Sequence, residues 1–344
     1  ILQKQGRLND ALKWIETILP TREDNDFNLR SAYARLLTDA KRFDEARRQF
    51  EILAVQAPNN SDVLFALGLL YLQSNRLDEA KNYFKRLVVQ DIRSDDANYY
   101  LGRIDEEHKN YEQAGVWYQS VQSGENYFDS QIRYGLILAK QGNMEAARAH
   151  LKKIPTRGEG QATLLVQAEG ELLTEEKLYD EALAVYDTAI EGKKYNTELL
   201  YARAMLAEKM SRIDLMEQDL RRILVKEPDN VQALNALGYT LADETDRYQE
   251  AYALVKRALE LSPDDFYILD SMGWVMYRLG RHEEAIALLQ KAMSLRQDPE
   301  IAAHLGEVLW VKGDKEAAKK LWETALQATP EDSRLLDVIK RFDE

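Results

Sequence analysis

Residues 233–263 read ALNALGYTLADETDRYQEAYALVKRALELSP. Leu234, Leu237 and Leu241 recur at i, i+3 and i+7, the apolar stripe of an amphipathic helix. Gly238 lies inside that stripe, a polar turn follows, and Ala251 stands in a second helical stretch that Pro263 terminates. Small residues at two such places let helices joined by a short turn approach closely. A proline just past the second helix stops it without breaking it. The stretch is one helix-turn-helix unit, with too little apolar surface to form a core alone.

The unit recurs along the chain. Its first small residue falls at Ala34, Gly68, Gly102, Gly135, Gly170, Ala204, Gly238, Gly273 and Gly306, with gaps of 33 to 35 residues. A second column follows at Ala46, Ala80, Ala114, Ala147, Ala182, Met216, Ala251, Ala285 and Ala318, and large residues such as Phe50, Phe84, Tyr118, Tyr186 and Trp322 stand at a matching place beyond it. Turns such as KRFDEA, NRLDEA and GRHEEA put acidic residues where the next helix begins. Pro58, Pro228 and Pro330 repeat the role of Pro263. The fold class is therefore all-α. This period and its two small columns resemble the tetratricopeptide repeat, which implies an α-solenoid, a right-handed superhelix of stacked helix pairs.

Nine full repeats begin near Phe27, Ser61, Asp95, Phe128, Thr163, Thr197, Val231, Phe266 and Pro299. The opening reads as one helix running straight into another, so residues 1–26 are expected to be a half repeat left by an N-terminal truncation. Pro155, Gly158 and Gly160 interrupt the fourth pair and mark a junction. The expected organisation is thus repeats 1–4 over 27–162, repeats 5–9 over 163–332, and a capping helix over 333–344. The cap's apolar side would comprise Leu335, Leu336, Ile339 and Phe342.

Composition narrows the function classes. The 46 basic and 59 acidic residues leave a net charge of −13, and residues 151–250 alone hold 13 basic and 20 acidic groups. Such a surface does not suit nucleic acid, whose affinity comes from clustered Lys and Arg, nor does it offer a polybasic membrane patch. With no cysteine there is no thiolate ligand or Cys nucleophile. The four histidines lie in different repeats without metal-ligand spacing. No catalytic residue, metal, cofactor or small-molecule substrate is expected. Protein partners are.

The place to look for partners is a second stripe of each first helix, at its second, fifth, ninth and twelfth positions. In tetratricopeptide-like folds this stripe faces the inside of the solenoid. It holds Asn235 and Tyr239, then Asp270, Trp274 and Tyr277, then Trp310, with Tyr99, Arg103 and Tyr201 at equivalent places in earlier repeats. Aromatic and Arg side chains on such a surface are the usual anchors of an interface, and Trp274 and its neighbours are expected to be displayed as a protein-binding groove. The alternative is that they pad a narrow inner wall. Trp14, Trp117 and Trp322, on second helices, are expected to serve packing. Glu169 and Arg203 occupy the same packing position of adjacent first helices, and are expected to pair across the repeat boundary.

Residues 231–332, through DFYILDSMGWVMYRLGRHEEAIALLQKAM and DPEIAAHLGEVLWVKGDKEAAKKLWETAL, resemble proteobacterial outer-membrane tetratricopeptide lipoproteins. Members of that group include an adaptor of a periplasmic carboxyl-terminal processing protease that presents cell-wall hydrolases for degradation. The resemblance implies a noncatalytic scaffold on the periplasmic face of the outer membrane. Its membrane attachment would be a lipid on a cysteine that these residues lack. Two other readings stay open: a structural subunit of a polysaccharide-export or outer-membrane assembly machine, and the accessory region of an enzyme whose catalytic domain lies elsewhere.

Overall fold

A computed structural model describes residues 8–19, 26–192 and 195–343. The described residues form helices joined by turns and contain no strand. The chain divides between Glu159 and Gly160 into two compact units.

In the first unit α1 (Leu8–Ile18) precedes four antiparallel pairs: α2 (Phe27–Asp39) with α3 (Phe43–Gln56), α4 (Ser61–Gln73) with α5 (Leu77–Val89), α6 (Ser94–Glu107) with α7 (Tyr111–Gln119), and α8 (Tyr127–Lys140) with α9 (Met144–Leu151). The half repeat expected over 1–26 lies partly outside the described residues. Its described part, α1, buries Ala11, Leu12 and Ile15. Trp14, expected to pack, is instead 59% exposed on the opposite side of α1.

The second unit holds α10 (Glu159–Glu175) with α11 (Tyr179–Glu191), α12 (Thr197–Lys209) with α13 (Ile213–Lys226), α14 (Val231–Glu244) with α15 (Tyr248–Leu261), α16 (Phe266–Arg278) with α17 (His282–Leu295), and α18 (Pro299–Lys312) with α19 (Lys315–Ala328), followed by α20 (Ser333–Asp343). The first helix of its first pair starts at Glu159, ahead of the expected Thr163, so Gly160 lies within a helix and not in a loop.

The packing between paired helices explains the two columns. A Cβ added at Gly68 would come within 2.6 Å of the Phe84 ring, and one at Gly102 within 2.6 Å of Tyr118. Only a hydrogen leaves room for a large ring on the facing helix. Gly238 takes Val255 and Gly273 takes Leu289 in the same way.

Helix ends are equally regular. Several first helices are capped by side chains: Asn60 accepts from the Val63 amide, Asn196 from Leu199, Asn230 from Ala233 and Asp265 from Ile268. Arg42, Arg76, Arg247 and Arg281, just before second helices, reach forward to Glu45, Glu79, Glu250 and Glu284. At the turn inside several pairs one residue takes the left-handed conformation, as at Lys41, Asn75, Lys109, Lys177 and Ser211.

In the cap helix α20, Leu335 and Val338 are the buried residues and pack with Ala303, Ala318 and Trp322. Leu336, expected on the apolar side, is exposed, because it lies about 100° round the helix from Leu335.

Candidate protein-interaction groove

Trp274 lies on the face of α16 that meets the neighbouring first helices α14 and α18. Its ring stacks on the imidazole of His304 at 4.3 Å between centroids, and its Nε1 donates to Asp243 Oδ1 at 3.0 Å. His304 Nδ1 donates to both Asp270 oxygens, at 3.0 and 3.1 Å, and the Tyr239 hydroxyl lies 3.4 Å from His304 Nε2. Burial disfavours the imidazolium, but the charge and hydrogen bond of Asp270, with Glu300 and Asp243 behind it, outweigh that and raise the His304 pKa. The five residues thus tie three successive first helices together by polar contacts.

The expected display of Trp274 is overturned: only 6% of it is exposed, and Asp270 is buried with it. The reason is steric. First helices of successive pairs pack on one another here, so a ring on the inner stripe fills the space between them. Tyr277 is half-buried and donates to Glu307 Oε1 at 3.2 Å; burial, aided by Glu307, pushes its hydroxyl up to about 12. Trp310 stacks on Trp322 at 5.8 Å and meets Phe342 of α20 at 5.6 Å in a tilted contact, the three rings forming one cluster, so α20 lies over the end of the expected groove. Residues that read as the open aromatic surface therefore form its closed end.

In the first unit, Tyr99 is buried, contrary to its expected display, and donates to Asp129 Oδ2 at 2.9 Å. Arg103 is exposed, its guanidinium 6.0 Å from the Tyr99 ring. The pair expected between Glu169 and Arg203 gives way to another arrangement. Arg203 Nε and Nη2 grip Asp219 at 2.8 and 2.7 Å, and Nη1 donates to Asp187 at 2.6 Å. Its guanidinium lies between the second helices α11 and α13, which each supply a carboxylate, and Asp219 is 1% exposed.

The open surface of the second unit lies upstream of Trp274. A cavity of about 730 Å3 is lined by α10, α12 and the start of α14, including Glu171, Tyr201, Met205 and Gln232. Another of about 360 Å3 adjoins it, sharing Tyr201, Met205 and Gln232 and extending past Asn235 and Tyr239 to Tyr267, Asp270 and Glu300. Most of the lining residues belong to first helices. Of the expected groove residues, the structure brings Tyr201, Asn235, Tyr239 and Asp270 together here, leaves Trp274, Tyr277 and Trp310 outside the lining, and holds Tyr99 and Arg103 in the other unit. The Asn235 Oδ1 is buried without a hydrogen-bond partner. Burial raises the Glu208 and Glu300 carboxyls, with nearby acidic groups adding to it; Lys209 works against the first shift, Arg334 and His304 against the second.

Sequence reasoning missed His304, Asp243 and Glu208, and placed Glu300 on the inner stripe without assigning it to the groove. One signal was present: Asp270 and His304 are 34 residues apart, one repeat, which places them side by side on successive first helices. Among the described residues no group of three or more His, Asp or Glu could hold a metal ion, and no helix is long and apolar enough to cross a membrane.

Family models described as tetratricopeptide repeat match residues 31–95 and 65–127, 229–298, and 276–341, together more than half of the chain. The chain is 40% identical over 205 residues to the TPR repeat-containing protein PA4667 of Pseudomonas aeruginosa; the match covers 60% of this chain and 35% of that protein. It is 30% identical over 139 residues to tetratricopeptide repeat protein 21A of Mus musculus, covering 40% of this chain and 10% of that one. The chain thus spans about a third or less of these relatives. A solved tetratricopeptide repeat protein from Parabacteroides merdae aligns with 72% of this chain and 98% of its own, at a TM-score of 0.54 and 16% identity, a likeness of fold alone.

Proposed function

The chain belongs to the tetratricopeptide-repeat family, whose repeats form protein-interaction scaffolds, and from that premise we propose that it is a noncatalytic adaptor whose second unit holds a protein ligand in the trough formed by α10 to α18. The observation that carries the reading is the pair of adjoining cavities with Tyr201, Met205 and Tyr239 in their lining. Open, elongated and mixed in character, they suit an extended polypeptide better than an enclosed reaction centre.

The more specific form of the proposal is an adaptor on the periplasmic face of the outer membrane, held by a lipid on a cysteine outside these residues. It would bind a carboxyl-terminal processing protease and present cell-wall hydrolases to it. The wording of residues 231–332 supports this reading. Such an adaptor acts by proximity: tethering two partners raises their effective concentration and can multiply avidity by about 10²–10⁴.

The test is a degradation assay with the purified protease and a cell-wall hydrolase from the same cell, with and without this protein. Acceleration by the wild-type protein, lost with Tyr201→Ala, is expected. Absence of both binding and acceleration would leave a scaffold with other partners.

A further inference from the structure

The trough of the second unit carries a charge pattern that protein binding in general does not require. Its lining includes Glu171 and Glu175 on α10, Glu208 on α12 and Glu300 on α18, against one lining cation, Lys209; of the four, Glu300 is paired with Arg334 of α20. Burial pushes Glu171 up, and its neighbour Glu175 adds to the shift. Glu171, Glu175 and Glu208 are exposed along the trough, and carboxylates beside their like gain most when a cation arrives, since their mutual repulsion is then compensated. The four carboxylates stand on three different first helices, α10, α12 and α18, so the negative charge is spread along the trough. Between the carboxylates lie Tyr201, Met205 and Tyr239, and Asn235 adds a buried acceptor without a partner.

We propose that this trough takes an extended segment of a protein partner bearing spaced Lys or Arg side chains. The cations meet Glu171, Glu175 and Glu208, and the apolar residues between them lie on Tyr201, Met205 and Tyr239. This rests on the groove reading above and names the chemistry of its occupant. First helices packed about 10 Å apart, crossed by a strand rising about 3.3 Å per residue, give a footprint of roughly 12 residues from α10 to α18.

The experiment is fluorescence anisotropy of the protein with three labelled twelve-residue peptides in which Leu alternates with Lys, with Glu or with Ser. The Lys peptide is expected to bind, more weakly as salt is added, and the Glu peptide not to bind. Glu171→Gln with Glu208→Gln is expected to weaken the Lys peptide at least tenfold. Glu316→Gln with Glu323→Gln, which removes the same charge from exposed positions on α19, is expected to change it less than twofold. Circular dichroism checks that both double variants keep their helices. An equal loss in both, or a Glu peptide that binds as tightly as the Lys peptide, overturns the proposal. If the Ser peptide matches the Lys peptide and Tyr201→Ala releases both, the groove stands and its cationic preference falls. If Tyr201→Ala affects no peptide, the groove reading falls as well.

Discussion

At Trp274 the indole is held by a stacked imidazole on one face and by the Asp243 carboxylate at its N–H. Truncation to Ala should cost about 3–5 kcal/mol, the range for a buried aromatic, as read from urea denaturation. Its neighbour His304 adds a pH dependence with a definite sign. Because the folded pKa is raised, the contribution of His304 is fully present below the ordinary value of about 6.5 and is lost as the pH rises through the folded value. The stability difference between the protein and His304→Gln should therefore be larger at pH 6 than at pH 9. A difference that grows with pH would falsify the pairing with Asp270. Arg203 makes a third case. Arg203→Met strands Asp219 in the core and should cost about 3–5 kcal/mol, and adding Asp219→Leu should recover most of it. None of these roles was visible from residue type, since a Trp on the inner stripe and an Arg at a packing position read as display and as a charge needing the nearest opposite charge. What decided both was the facing helix, whose identity depends on how successive pairs stack.

Helices were the most legible level. Starts at Phe27, Ser61, Thr197, Val231, Phe266 and Pro299 coincide with the expected repeat starts, because each pair solves the same packing problem with a small residue opposite a large one. The expected starts failed where that regularity fails, at α10, which begins before its repeat pattern does. The cap helix shows why the groove was harder to read. Its burial of Leu335 and its cover over Trp310 come from a segment outside the repeat, so no comparison between repeats reveals it. Leu335→Asp should detach α20, cost at least the roughly 2–5 kcal/mol of a buried leucine, and shift tryptophan emission to the red as Trp310 and Trp322 meet water. An unchanged emission spectrum would show that α20 is not what shields them.

On the scale of the molecule, cores run on from pair to pair within a unit, from Leu173 to Val308 in the second and through α1 to α6 in the first. Stability in such an array is close to a sum of pair and nearest-neighbour contributions. Residues 160–344 produced alone should therefore keep their helical signal and a cooperative melt, which circular dichroism checks; a molten, non-cooperative trace would mean that the second unit depends on the first. The left-handed turns bear on a different property, the chain's room to change. Lys41, Lys109 and Lys177 each hold a conformation that costs an L-residue roughly 1 kcal/mol, where glycine would be relaxed. These positions are scattered through separate pairs. They form a distributed reserve of stability, which a lineage could draw on pair by pair to offset destabilising changes in the binding surface.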